Sequence, residues 1–204
     1  MAKRLLFGTT NPAKLQQMRA LLAPLPLHLL SPAEIGLQLQ VVENGVTPAE
    51  NATLKAKAYC AAAGMPTLAV DVGLRIDALP PEQQPGAFVR RLRGGTVEAT
   101  DAEILAYYQQ TLAAVGGQSG GQWLVAVALA PTPDRLRCET FTLATHFTAV
   151  PSQARVTGEP LAPLQIDRNT GQYYAERSAP ERLAVHAGEA QNIFNFVQRH
   201  LYEW

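Results

Sequence analysis

Residues 123–150, WLVAVALAPTPDRLRCETFTLATHFTAV, limit the possible folds more than any other stretch of this chain. Two apolar or alternating runs, WLVAVALA and RLRCETFTLATHFTAV, flank the turn-forming PTPD. They read as two long strands joined by a wide hairpin, and their alternation predicts sheet residues with one face buried.

The segments before and after the hairpin alternate between the two periods. KRLLFG (3–8) reads as a short buried strand, then TTN, then a helix from Pro12 with Asn11 as N-cap and Leu15, Met18, Leu21 and Leu22 on one face. LHLL (27–30) and LQVVEN (39–44) are weaker strand candidates. PAENATLKAKAYCAAA is alanine-rich and helical, with Gly64 as its stop. PTLAV and GLRIDAL (66–79) read as strand, PPEQQPG as loop, and DAEILAYYQQTLAAV as a helix capped by Asp101 and broken by GGQSGGQ. A last helix, GEAQNIFNFVQRHL, carries Ile193, Phe194, Val197 and Leu201 at core spacing. The pattern predicts an α/β fold, an elongated mixed sheet with flanking helices, in a single domain covering residues 1–204.

Lys+Arg and Asp+Glu number 17 each, a balance that points to neither a nucleic-acid backbone nor an anionic membrane as partner. Cys60 and Cys138 make no disulfide framework and are expected as buried thiols in a reducing compartment. The opening MAKRLLFGTTNP has too short an apolar run for a signal peptide, and no later run approaches a membrane span, so a cytoplasmic protein is expected.

Three short stretches carry chemistry-bearing residues. In Thr9–Lys14, TTNPAK, a helix start with a lysine one turn in is either an anion site or an ordinary capped helix with an exposed lysine. In ENATLKAKAY, Glu50 stands at a helix start and Lys55 a turn and a half on, a pattern that a solvated helix face also shows. Glu43, beside an apolar pair, reads alone as a strand-end or turn carboxylate. Asp71, in LAVDVGLRID, is an acid among residues that favour burial, followed two positions on by Gly73. It is either a turn residue or a carboxylate able to bind Mg²⁺ and to orient or deprotonate a water. Walker, HExxH, CxxC and GxSxG patterns are absent from the sequence.

In order and spacing these pieces resemble the inosine triphosphate pyrophosphatase family, which hydrolyses deaminated purine nucleoside triphosphates. The family's T-G-N-x-x-K appears as Thr9-Thr10-Asn11-Pro12-Ala13-Lys14, and its E-N-A-x-x-K-A as Glu50-Asn51-Ala52-Thr53-Leu54-Lys55-Ala56. Glu43 lies seven residues before that motif, where the family has a metal-associated glutamate. A-D-D-S-G-L-x-V-D-A-L becomes residues 69–79, AVDVGLRIDAL, and P-G-x-x-S-A-R has a counterpart in Pro85–Arg91. The resemblance runs through roughly residues 5–94.

The resemblance implies two lobes around a central nucleotide-binding cleft, a homodimer, and a Mg²⁺-assisted attack of water that releases pyrophosphate from a nucleoside triphosphate. It implies Asp71 as catalytic residue and metal ligand, Glu43 as second metal ligand, and Thr9, Thr10, Asn11, Lys14, Lys55 and Arg91 against the substrate. The carboxyl half departs from the family. Gly158-Glu159-Pro160-Leu161-Ala162-Pro163 stands where F-G-Y/W-D-P stacks on the purine, and of the K-N and S-H-R base readers only His186 is kept, with Arg182 in the lysine's place by charge. The first Asp and the Ser of D-D-S are Val70 and Val72. Two functions are therefore expected: a pyrophosphatase acting on deaminated purine or on other nucleoside triphosphates, or a catalytically weak relative that binds a nucleotide as a sensor or partner subunit.

Overall fold

Strand β1 (Lys3–Phe7) pairs in parallel with β2 (Leu27–Leu30) on one side and β3 (Thr67–Ile76) on the other. Parallel neighbours need crossovers, which helices α1 (Pro12–Leu22) and α2 (Pro48–Ala63) supply. Strands β4 (Gln118–Thr132) and β5 (Arg135–Thr148) complete a five-stranded sheet of order β2-β1-β3-β4-β5. Helices α3 (Asp101–Ala114), α4 (Ala179–Val185) and α5 (Ala187–His200) are the remaining α-helices among the described residues. This computed structural model describes residues 2–92 and 97–204, so residues 93 and 94 of the family-like stretch lie outside it. Among the described residues no helix is long and apolar enough to cross a membrane.

Two compact units divide the chain. Met1–Val72, Val125–Phe141 and Gly188–Trp204 form the first, and Gly73–Leu124 with Thr142–Ala187 the second. In the first, the faces of the sheet are packed differently. Leu5, Phe7, Leu68, Val125, Val127 and Leu129 bury one face against Met18 and Leu22 of α1 and Ile193, Phe196 and Val197 of α5. On the other, Ala69, Ala126, Ala128 and Ala130 meet Ala52, Ala56 and Cys60 of α2. Small side chains on both partners let α2 lie close to the strands. The core of the second unit gathers Leu74 and Ile76 of β3, Ile104, Tyr108 and Leu112 of α3, and Leu161 and Leu164.

Several elements differ from the sequence expectation, each for a physical reason. The turn between β4 and β5 is two residues, Pro133–Asp134, a tight antiparallel hairpin rather than a wide one. β4 is buried on both faces from Val125 to Pro131, because it lies between β3 and β5 with helices over each side. It also starts earlier, inside GGQSGGQ. Gly116 and Gly117, at φ 97° and 82°, make the turn, whereas Gly121 is a strand residue whose Cβ would lie 2.6 Å from the Arg75 carbonyl oxygen. Thr100, not Asp101, caps α3 in a capping box with Glu103, and Asp101 pairs instead with Arg90 at 2.7 Å. Phe196 is fully buried where Phe194 is only half-buried, and Cys138 is exposed rather than buried. Residues 39–44 form no strand.

The small-residue layer predicts the response to a bulky replacement. Ala128→Leu places a branched side chain between β4 and α2 and should cost about 1–3 kcal/mol in urea unfolding. An unchanged midpoint would show that α2 does not press on the strand there.

Candidate active site

Alternation along β3 decides which way Asp71 points. Leu68, Val70 and Val72 belong to the face covered by α1 and α5, while Ala69 belongs to the face covered by α2. Asp71 has the parity of Ala69 and so faces α2. There Lys55 Nζ donates to Asp71 Oδ1 at 2.7 Å, with only 12% of either side chain exposed. Val70 and Val72, which stand for the first Asp and the Ser of D-D-S, have joined the opposite apolar layer. Their change of character leaves the α2-facing geometry of Asp71 in place.

Glu43 reaches the same ammonium by a different route. Residues 35–43 alternate between half-buried and exposed, and Ile35, Leu37, Leu39 and Val41 pack against Leu6, Leu30 and Tyr59. Glu43 is the next residue of that inward parity, and its Oε2 lies 3.4 Å from Lys55 Nζ. The period-two pattern that predicts a strand here is real, but it serves an extended segment lying on side chains instead of a ladder.

Among these three groups, two carboxylates face one ammonium, a formal surplus of one negative charge. Asp71 Oδ2 is buried and accepts no hydrogen bond among the described residues. Such an orphan costs about 1–3 kcal/mol, which a cation at that oxygen would offset. Among the described residues no group of three or more His, Cys, Asp or Glu side chains could hold a metal. A donor set of two carboxylates suits Mg²⁺, which takes one or two carboxylates and completes its shell with water and phosphate oxygens. It does not suit structural zinc.

Thr9, Thr10, Asn11 and Lys14 lie in the same unit, at the carboxyl end of β1 and the start of α1. Asn11 caps the helix as expected, its Oδ1 accepting from the Lys14 backbone N–H at 3.1 Å, and Thr9 Oγ1 accepts from the Asn11 N–H at 3.2 Å. Phe7 is in register with Leu68, so Asp71 stands further along β3, past the end of β1. The chain leaves β1 towards β2 and returns on the other side at β3. This reversal is where open parallel sheets bind ligands, at the carboxyl ends of the strands.

Arg91, Arg182 and His186 belong to the second unit. The Arg91 guanidinium lies over the Phe88 ring, 4.8 Å from its centre. Arg182 donates to the Arg177 carbonyl, and His186 Nε2 is 3.0 Å from the Tyr174 hydroxyl. Leu161, Ala162 and Pro163, in the stretch replacing the purine-stacking motif, are buried.

Sequence reasoning missed Asn51 and Tyr59. Asn51 is fully buried, and its Oδ1 accepts from the Gly45 N–H at 2.9 Å. The Tyr59 hydroxyl donates to the Leu39 carbonyl at 3.2 Å, and burial followed by the Glu43 charge pushes its pKa up, keeping it a donor. Their helical spacing with Lys55, four residues on either side, was the available signal.

The buried pair makes a measurable prediction. Lys55→Met leaves Asp71 unpaired and should cost about 3 kcal/mol in denaturant unfolding. Adding Asp71→Asn should return most of that loss, and strictly additive costs would contradict the pairing.

Residues 5–146 match the Ham1 family. A dITP/XTP pyrophosphatase of Xanthomonas axonopodis pv. citri is 40% identical over 97 residues, 48% of this chain and 47% of the relative, so the match spans about half that relative's length. A dITP/XTP pyrophosphatase of Erwinia tasmaniensis is 30% identical over 203 residues, 97% of this chain and 95% of the relative. Among solved structures, a HAM1 protein from Coxiella burnetii superposes with TM-score 0.82 at 25% identity, covering 97% of this chain and 99% of its own.

Proposed function

This chain belongs to the Ham1 family, and on that premise we propose that it is a nucleoside triphosphate pyrophosphatase, cleaving nucleoside triphosphates, deaminated purine ones among them, to a monophosphate and pyrophosphate. The observation that carries the proposal is the cluster of Glu43, Lys55 and Asp71, with a buried Asp71 oxygen lacking a donor. The Erwinia tasmaniensis relative, matched over 97% of this chain, bears the name dITP/XTP pyrophosphatase, which supports the same reaction.

In this reading Asp71 and Glu43 hold Mg²⁺, which when bound supplies positive charge to the triphosphate oxygens. Asp71 also orients the attacking water and accepts its proton. Lys55, already between the carboxylates, moves its ammonium onto a phosphate oxygen as the substrate arrives. Lys14 adds a second positive charge, and Thr9, Thr10 and Asn11 line the turn at the start of α1, where the helix dipole favours an anion. These groups offset the negative charge that develops as the bond to pyrophosphate breaks. Arg91, Arg182 and His186 are assigned to the rest of the nucleotide. With Leu161 and Ala162 in the core, base selection rests on fewer side chains than the family resemblance implies. The same resemblance supports a homodimer.

Purified protein with Mg²⁺ and a panel of nucleoside triphosphates should release pyrophosphate, and Asp71→Asn, assayed below its own unfolding transition, should lower kcat by about 10²–10⁴-fold. Nucleotide binding without pyrophosphate from any member of the panel would leave the chain a nucleotide-binding sensor. Full turnover by Asp71→Asn would remove that residue from the chemistry.

A further inference from the structure

Residues 39–45 run along one face of α2 in the opposite direction to the helix. Asn51, Lys55 and Tyr59 recur every four residues, which stacks them along that face with a small drift. Each meets one point of the segment. Tyr59 donates to the Leu39 carbonyl at 3.2 Å, Lys55 pairs with Glu43 at 3.4 Å, and Asn51 accepts from the Gly45 N–H at 2.9 Å.

Covalent geometry tightens the Asn51 end. A Cβ on Gly45 would come within 2.6 Å of Glu50 Cβ and 2.7 Å of Asn51 Oδ1, so the segment can lie this close only with glycine there. Immediately beyond, Glu50 Oε2 accepts from the Val46 and Thr47 N–H groups at 2.7 and 3.3 Å, and Thr47 Oγ1 accepts in return from Glu50. This capping box anchors the segment to the first turn of α2. Glu43 is held between these anchors and Tyr59, although it belongs to no regular element.

We propose that Asn51, and secondarily Tyr59, are positioning residues that fix the Glu43 carboxylate opposite Asp71 and so set the affinity of the site for a divalent cation. Neither side chain need touch the cation or the nucleotide. Asn51 acts through the Gly45 backbone, and Tyr59 through that of Leu39. The inference rests on the metal-dependent reading given above.

Its test is binding as well as turnover. Mn²⁺ is titrated into the protein with a non-hydrolysable imido analogue of inosine triphosphate, and free Mn²⁺ is followed by electron paramagnetic resonance. Asn51→Ala should weaken Mn²⁺ binding about tenfold. Tyr59→Phe keeps the ring and loses only the hydroxyl, so it folds even if Asn51→Ala does not, and it should weaken binding about threefold. In turnover, the Asn51→Ala defect should disappear at high Mg²⁺ with the nucleotide KM unchanged.

Parent-like Mn²⁺ affinity in both Asn51→Ala and Tyr59→Phe would overturn the positioning role alone. So would a fall in kcat that added Mg²⁺ does not restore. An absence of Mn²⁺ binding in the parent protein would overturn the metal-dependent reading, and this inference with it.

Discussion

Close packing of α2 on an alanine face of the sheet is the constraint on which the site depends. Alanines at 52, 56, 69, 126, 128 and 130 keep helix and strands near one another. That spacing lets a lysine about two turns into the helix reach an aspartate on β3 at 2.7 Å. Two mostly buried charges are costly unless paired, so the Lys55–Asp71 pair and the packing beneath it are mutually dependent. The same helix carries the caps and hydrogen bonds that hold Glu43 on the other side of the ammonium. Packing and polar chemistry meet in one element.

Much of this was legible in the sequence, and the residues show why. Pro12 after a polar turn, the alanine-rich run ending at Gly64 and the long alternating strands each follow from local rules, and each formed as expected. What local rules could not supply was the partner of each surface. LQVVEN has a strand's alternation, yet its inward residues rest on Leu6, Leu30 and Tyr59, and among the described residues it joins no ladder. WLVAVALA reads as a half-buried strand because valines and leucines alternate with alanines. Only the sheet order shows that its alanine side is covered as well.

For the site, Glu43, Lys55 and Asp71 were identifiable by motif spacing, and the structure brings these three together. Asn51 and Tyr59 were not identified, because their work is done through the backbone of a segment whose path the sequence does not reveal. The valines flanking Asp71 illustrate the same point in reverse. By sequence they look like damage to an acidic motif, yet alternation turns both to the face of β3 opposite Asp71. Leu161 and Ala162, in the stretch that stands for the purine-stacking motif, are buried in apolar clusters.

The central claim is that Asp71, through its unpartnered Oδ2, and Glu43 would hold a divalent cation when a nucleoside triphosphate is bound, with Lys55 free to turn to a phosphate oxygen. A crystal structure with Mn²⁺ and a non-hydrolysable triphosphate tests this directly through the anomalous signal of the metal. The account predicts a single strong peak within about 2.0–2.3 Å of oxygens of both Asp71 and Glu43, with Lys55 turned onto a phosphate oxygen. Mn²⁺ bound elsewhere, with Lys55 still bridging the carboxylates beside the bound nucleotide, would contradict it.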